Sequence, residues 1–129
     1  MRAFIDSDIL IWHLRGEKKA HNFLRRLRDK GGYELWTGVM QRAEVVFFMR
    51  EDEEERTLQL LSQFKTEPVD QSLVDEAGVL FRKWNPGHGI DVTDALLAAC
   101  AKRARGLIFS LNTKHYPMPD ILIKQAWTS

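Results

Sequence analysis

Carboxylates at three well-separated places are the residues through which this chain could do chemistry. Asp6 closes the apolar run Ala3-Phe4-Ile5 and is followed by Ser7 and Asp8, after which the chain turns apolar again through Ile9-Leu10-Ile11-Trp12. An acid inside a segment that reads as core is costly to bury unless something pairs with it. Glu44 lies four residues after Met40 on an apolar stripe continued by Phe47 and Phe48, where helical periodicity expects a core residue. The plain structural reading puts it at the edge of that stripe, reaching water or pairing with Arg42 or Arg50. In "GIDVTDALLAACA", Asp94 shares a helical face with Leu97, Ala98 and Ala101, and Asp91 sits one turn earlier. Those two acids also fit a capping box, and the structural and chemical readings are compatible. Further on, "IFSLNTKHY" places Ser110 and Asn112 just after an apolar run, as oxygen donors of the kind turns commonly use.

Brought together, such carboxylates repel, and without a counter-charge some must take up protons. A divalent cation supplies that charge. Oxygen-only donors favour Mg²⁺ or Mn²⁺ over zinc, and the histidines at 13, 21, 88 and 115 show no zinc-ligand spacing. Asp6, Glu44 and Asp94 are the expected ligands, with Asp8 and Asp91 as further candidates.

The elements that would gather these residues alternate between strand and helix. Residues 2–6 read as a short buried strand, and a helical pattern runs from Ile9 to about Leu27, interrupted near Gly16. "YELWTG" is a second strand, after which Thr37 can cap the helix "GVMQRAEVVFFM". The acidic run 51–55 opens a helix through Phe64, in keeping with the helix dipole. "TEPVD" allows a brief strand, "QSLVDEAGVLFRKW" a helix, and "NPGHG" a loop. A helix over about Val92 to Arg105, the strand "GLIFS", the loop "LNTKHYPMP" and the strand "DILIKQA" complete the chain. No hairpin signal joins two strands. The order predicts an α/β fold, a parallel sheet with helices on both faces, whose ligands sit beyond the carboxyl ends of the strands.

At 129 residues, 44% hydrophobic and 29% charged, the chain reads as a single globular domain over 1–129. Its formal net charge of +1 does not announce a nucleic-acid or membrane partner, so any such partner needs a local patch. No apolar stretch approaches the roughly 18 residues of a membrane span, and no targeting segment is visible, so a cytoplasmic location is expected. The lone Cys100 cannot form an internal disulfide. Among alanines at helical spacing, it reads as a small core residue.

Four segments in order, "FIDSDILIWHLRG", "TGVMQRAEVVFFM", "DVTDALLAACA" and "IFSLNTKHYPM", resemble the four motifs of PIN-domain ribonucleases, and more closely the VapC toxins of toxin–antitoxin pairs. The resemblance implies a three-layer fold with a mostly parallel five-stranded sheet flanked by helices. It also implies Mg²⁺-dependent endonucleolytic cleavage of RNA that leaves a 5′-phosphate and a 3′-hydroxyl. The family's acids match Asp6, Glu44 and Asp94, and its fourth position matches Asn112 after Ser110. Two positions depart from the pattern: the usual asparagine is Asp8 here, and the common fourth aspartate is Asn112. Asp91 is not a usual family position. The resemblance further implies an antitoxin protein as partner and a homodimer.

For RNA contact, Lys114 beside the proposed site is favoured over the basic helix "KKAHNFLRRLRDK" and the group Lys102, Arg103 and Arg105, which serve equally well as solvated faces and caps. The four tryptophans read as core or interface. Phe47, Phe48 and Met49 are a candidate partner surface. Two other functions compete: a non-catalytic PIN-like module that binds RNA or protein, which Asn112 favours, and a haloacid-dehalogenase-like phosphohydrolase, which "FIDSDIL" evokes but Leu10 and the short chain disfavour.

Overall fold

A computed structural model describing residues 1–128 has five strands, β1 (Arg2–Ile5), β2 (Glu34–Gly38), β3 (Lys65–Glu67), β4 (Leu107–Ser110) and β5 (Leu122–Gln125). They form one sheet in the order β3-β2-β1-β4-β5, parallel at every pairing. Six helices connect them: α1 (Ser7–Leu14), α2 (Lys18–Lys30), α3 (Val39–Val46), α4 (Glu54–Leu61), α5 (Gln71–His88) and α6 (Val92–Ala104). The layers follow from the strand period of two. Phe4 and Ile108 point to one face, where α5 and α6 cover them with Leu73, Leu80, Leu97 and Ala98. Ala3, Ile5, Leu107 and Phe109 point to the other, against Ile9 and Leu10 of α1, Phe23 and Leu24 of α2 and Leu61 of α4. Strands buried on both faces read as continuous apolar runs, which is why "AFI" and "LIF" lack polar alternation.

The chain runs outward from β1 through β2 to β3, then returns to β4 and β5 on β1's other side. The carboxyl ends of β1 and β4 therefore flank the switch point where open α/β sheets form their crevice.

Several boundaries differ from the sequence reading. The first helix begins at Ser7, because Asp6 caps it, and it breaks at Gly16, whose φ of +85° suits glycine. Thr37 does not cap α3; its hydroxyl donates to the Ile5 carbonyl at 2.8 Å, tying β2 to β1, and Gly38 holds the cap position. α3 stops at Val46, so Phe47 and Phe48 are 79% and 83% exposed rather than core. α5 continues through "NPGH", read as loop. Pro86 falls in its last turn, and the helix ends at Gly89, with φ +64°, whose N–H donates to the Asn85 carbonyl. The brief third strand is Lys65–Glu67, slightly before the expected "TEPVD".

Cys100 is buried on α6, and burial raises its thiol to a pKa of about 12. It is a core residue. No helix is long and apolar enough to cross a membrane among the described residues.

Candidate active site

Asp6 leaves β1 with extended backbone (φ −71°, ψ 156°) and caps α1, its Oδ1 accepting from the Ser7 N–H at 2.9 Å. Its own N–H donates to the Phe109 carbonyl of β4, which fixes it at the switch point. The second oxygen, Oδ2, accepts from the Ser110 hydroxyl at 2.9 Å and from the Tyr116 hydroxyl at 2.7 Å. Asp94 reaches the same place from the first turn of α6. The capping box expected for Asp91 and Asp94 is present: Asp91 Oδ1 accepts from the Asp94 N–H at 2.9 Å, and Asp94 Oδ2 accepts from the Asp91 N–H at 3.1 Å. Asp94 Oδ1 lies 3.4 Å from the Tyr116 hydroxyl. One phenol oxygen thus stands between the two carboxylates. A phenol has a single proton, and the shorter distance assigns it to Asp6. Asp6, Asp94 and Tyr116 are all buried.

Glu44, half-buried on α3, joins this edge through Ser7: the Ser7 hydroxyl donates to Glu44 Oε2 at 3.2 Å. Asp8 lies on the β4 side, its Oδ2 accepting from the Leu111 N–H at 3.0 Å and lying 3.3 Å from the Ser110 hydroxyl. That hydroxyl donates to Asp6 and in turn accepts from the Asn112 N–H at 3.0 Å. Asn112 therefore contributes its backbone to the network. Its side-chain amide faces His115, 3.1 Å from Nε2, and His115 Nδ1 is 3.3 Å from Asp94 Oδ2. Asp91 accepts from the Thr93 hydroxyl and serves as the cap. Lys114 is exposed in the short 3₁₀ turn Thr113–His115.

Burial dominates the electrostatics of this edge. Burial, reinforced by Asp6, raises Asp8 to a pKa of about 6. Burial, with the Asp91 and Asp6 charges added, raises Asp94 to about 6. Glu44 is also raised, chiefly by burial, and the Tyr116 hydroxyl is held well above its ordinary value of 10.0, again by burial first. Among the described residues no lysine or arginine pairs with Asp6, Asp8, Glu44 or Asp94; the ion pairs of the basic residues lie elsewhere. Among the described residues, the His115 imidazole is the basic group beside Asp94, Nδ1 at 3.3 Å from Oδ2.

This donor set fits a hard divalent cation by its chemistry: carboxylate oxygens, desolvated and short of counter-charge. The side chains are not drawn up as a ready cage, since no group of three or more histidine, cysteine, aspartate or glutamate residues is arranged to hold a metal among the described residues. The Tyr116 hydroxyl occupies the space between two of the acids instead.

Sequence reasoning missed Tyr116 and His115. Both sit in a stretch read as a loop, and nothing in its composition says that one of its aromatic rings turns inward to place a hydroxyl on two acids.

The PIN domain family model matches residues 3–120. The chain is 34% identical over 115 residues to Ribonuclease VapC10 of Mycobacterium tuberculosis, covering 88% of this chain and 85% of the relative. It is 32% identical over 119 residues to Ribonuclease VapC19 of the same organism, covering 91% and 94%. In fold it is similar to a chain of a toxin–antitoxin complex from Klebsiella pneumoniae, with a TM-score of 0.79 at 21% identity, covering 97% of this chain and 98% of the other.

Proposed function

Because the chain belongs to the PIN-domain family and to its VapC ribonucleases, we propose that it is a divalent-metal-dependent endoribonuclease, the toxin half of a toxin–antitoxin pair. The observation that carries this reading is the approach of Asp6 and Asp94 to one phenol oxygen at the switch point, with no lysine or arginine among the described residues to balance them. A purely structural pair of buried acids is normally matched by a cation of the protein's own. Family membership also removes the phosphohydrolase alternative.

In this reading Asp6 and Asp94 would hold Mg²⁺ or Mn²⁺, and Glu44 would bind it through water or orient the attacking water. Bound there, the ion lowers the pKa of water and stabilises charge developing on the phosphoryl oxygens. Ser110 fixes the rotamer of Asp6 and is itself fixed by the Asn112 N–H. Glu44 is oriented by Ser7. Water adds to phosphorus and the 3′-oxygen departs, leaving a 5′-phosphate and a 3′-hydroxyl. Lys114, exposed beside the crevice, contacts a substrate phosphate.

The antitoxin is assigned to a groove of about 530 Å³ beside α1, α3 and α4, lined by Ile11, Leu14, Val45, Phe48 and Met49, with Glu44 among its walls. A peptide seated there reaches the acids. The toxin acts as a homodimer in the cytoplasm.

The test is purified protein on total RNA with Mg²⁺ or Mn²⁺ against EDTA, mapping the ends. Metal-dependent cuts with 5′-phosphates, lost in Asp6→Asn with an unchanged circular dichroism spectrum, are the expected result. Intact RNA under all conditions, or full activity in Asp6→Asn, overturns the proposal. Intact RNA together with measurable RNA affinity instead supports the non-catalytic binding module.

A further inference from the structure

A second cleft, of about 420 Å³, opens between Trp12 and Trp127. We propose that it is a subsite for a nucleobase of single-stranded RNA, one nucleotide removed from the phosphodiester at the carboxylates; this rests on the ribonuclease reading above.

Three connections place the cleft against the acids. Trp12 follows Asp8 by four residues on α1, so the two share a helical face about one turn apart, about 6 Å along the axis. Leu111, in the wall of the cleft, donates its N–H to Asp8 at 3.0 Å. Gln125, another wall residue, is the strand partner of Ser110, whose hydroxyl holds Asp6. The cleft therefore begins where the carboxylate network ends.

Its walls suit a base. α1 buries Ile9 and Leu10 in the core, yet leaves Trp12 42% exposed, and Trp127 also lines the cleft. An indole face stacks on any base, because every base has a π-face. The rim suits a phosphate. The Arg15 guanidinium, a wall residue of the neighbouring groove, lies 5.5 Å from the Trp12 ring centre. Lys19 lies at the mouth, its ammonium donating to the Thr128 carbonyl at 3.0 Å, and among the described residues it forms no ion pair. Glu17, the acid of this rim, accepts from the Lys19 N–H as the cap of α2. Aromatic walls with a lysine at the mouth match a nucleotide, and the groove assigned to the antitoxin, which Arg15 lines together with Ile11 and Leu14, shares no wall residue with this cleft.

The experiment measures binding without cleavage. Asp6→Asn protein is titrated against a fluorescent single-stranded RNA oligonucleotide spanning a mapped cut. A matched oligonucleotide carries an abasic residue next to the cut. Adding Trp12→Ala is expected to weaken binding of the intact oligonucleotide about tenfold or more, with the dependence on salt unchanged, because stacking releases no counterions. Trp12→Tyr should keep most of the affinity. The abasic oligonucleotide should bind weakly to the parent and lose little more with Trp12→Ala, since the two changes remove one contact. An equal loss on both oligonucleotides, an affinity within twofold of the parent, or a changed oligomeric state without an RNA effect overturns the subsite. In the last case the cleft belongs to a second copy of the chain. If the Asp6→Asn parent itself binds no RNA and the wild type cuts none, the ribonuclease reading falls with it; cleavage by the wild type with Trp12→Ala silent removes the subsite alone.

Discussion

Removing a negative charge from this site should stabilise the metal-free protein, and only above the pH at which that charge appears. The perturbation is Asp94→Asn. The amide can keep the partners of the carboxylate: its oxygen accepts from the Asp91 N–H, and its NH₂ faces the Tyr116 oxygen, which can accept. Burial raises the Asp94 pKa from 3.8 to about 6, so between those values the folded state binds more protons than the unfolded chain. Stability contributed by this group therefore falls as pH rises through that window. Full conversion of the shift gives at most about 3 kcal/mol. The crevice admits water, so a gain of about 1–2 kcal/mol at about pH 8 is expected, or roughly 4–8 °C in Tm for a domain of this size. At about pH 4, where the native carboxyl is protonated, the gain should vanish. His13, lowered to a pKa of about 4 by burial and by His21, pushes stability the opposite way over the same range, but it cancels in the difference between the two proteins. Differential scanning calorimetry in EDTA at the two pH values reads the effect. Adding Mg²⁺ at the higher pH should raise the wild-type Tm and leave the variant's nearly unmoved. A variant less stable than wild type at about pH 8, or a difference independent of pH, refutes the account of Asp94 as an uncompensated buried charge.

Tyr116→Phe removes a charge-assisted hydrogen bond to Asp6 and should cost about 1–3 kcal/mol in EDTA, less with saturating Mg²⁺; denaturant melts with and without the ion check it. Phe47→Ser with Phe48→Ser should change stability by under about 0.5 kcal/mol, because both rings are exposed, yet weaken antitoxin capture measured by co-purification with the co-expressed partner. Gly106→Ala should destabilise the fold, because a Cβ there would stand 2.5 Å from the Arg2 carbonyl; its Tm should fall well below that of a surface substitution such as Lys30→Ala.

The layered fold was legible because its strands are two-sided apolar runs separated by helical patterns, and both signals are local. The carboxylate edge was legible for a related reason. A parallel sheet sends every strand's carboxyl end to one side, so Asp6 and Ser110 had to share an edge once their strands were recognised. The failures also have local causes. Met40, Phe47 and Phe48 keep helical spacing, but α3 ends at Val46, and periodicity cannot report where a helix stops. Helix α5 runs on through Pro86 despite the intrahelical bond that a proline forfeits, and Gly89 supplies the left-handed cap. Thr37 has the side chain of a cap, yet its hydroxyl reaches the neighbouring strand, a choice made by tertiary packing. Tyr116 was invisible because its role depends on where a loop folds back.

The reading of Asp94 as either a cap or a chemical group dissolves in the geometry. One oxygen, Oδ2, accepts from the Asp91 N–H at the start of α6, and the other, Oδ1, faces Tyr116 and the crevice. The cap fixes the rotamer, so the second oxygen needs no ordering when it acts. Its place in the first turn of α6 suits a carboxylate by the helix dipole, and burial raises its pKa against the lowering effect of the backbone hydrogen bond at Asp91. The N-cap of α6 is Asp91, so a serine at position 94 would keep that cap while removing the carboxylate that faces the crevice. Asp94→Ser should therefore leave the helix intact by circular dichroism while abolishing Mg²⁺-induced stabilisation. Retention of that stabilisation in the serine variant would place the ion on other oxygens.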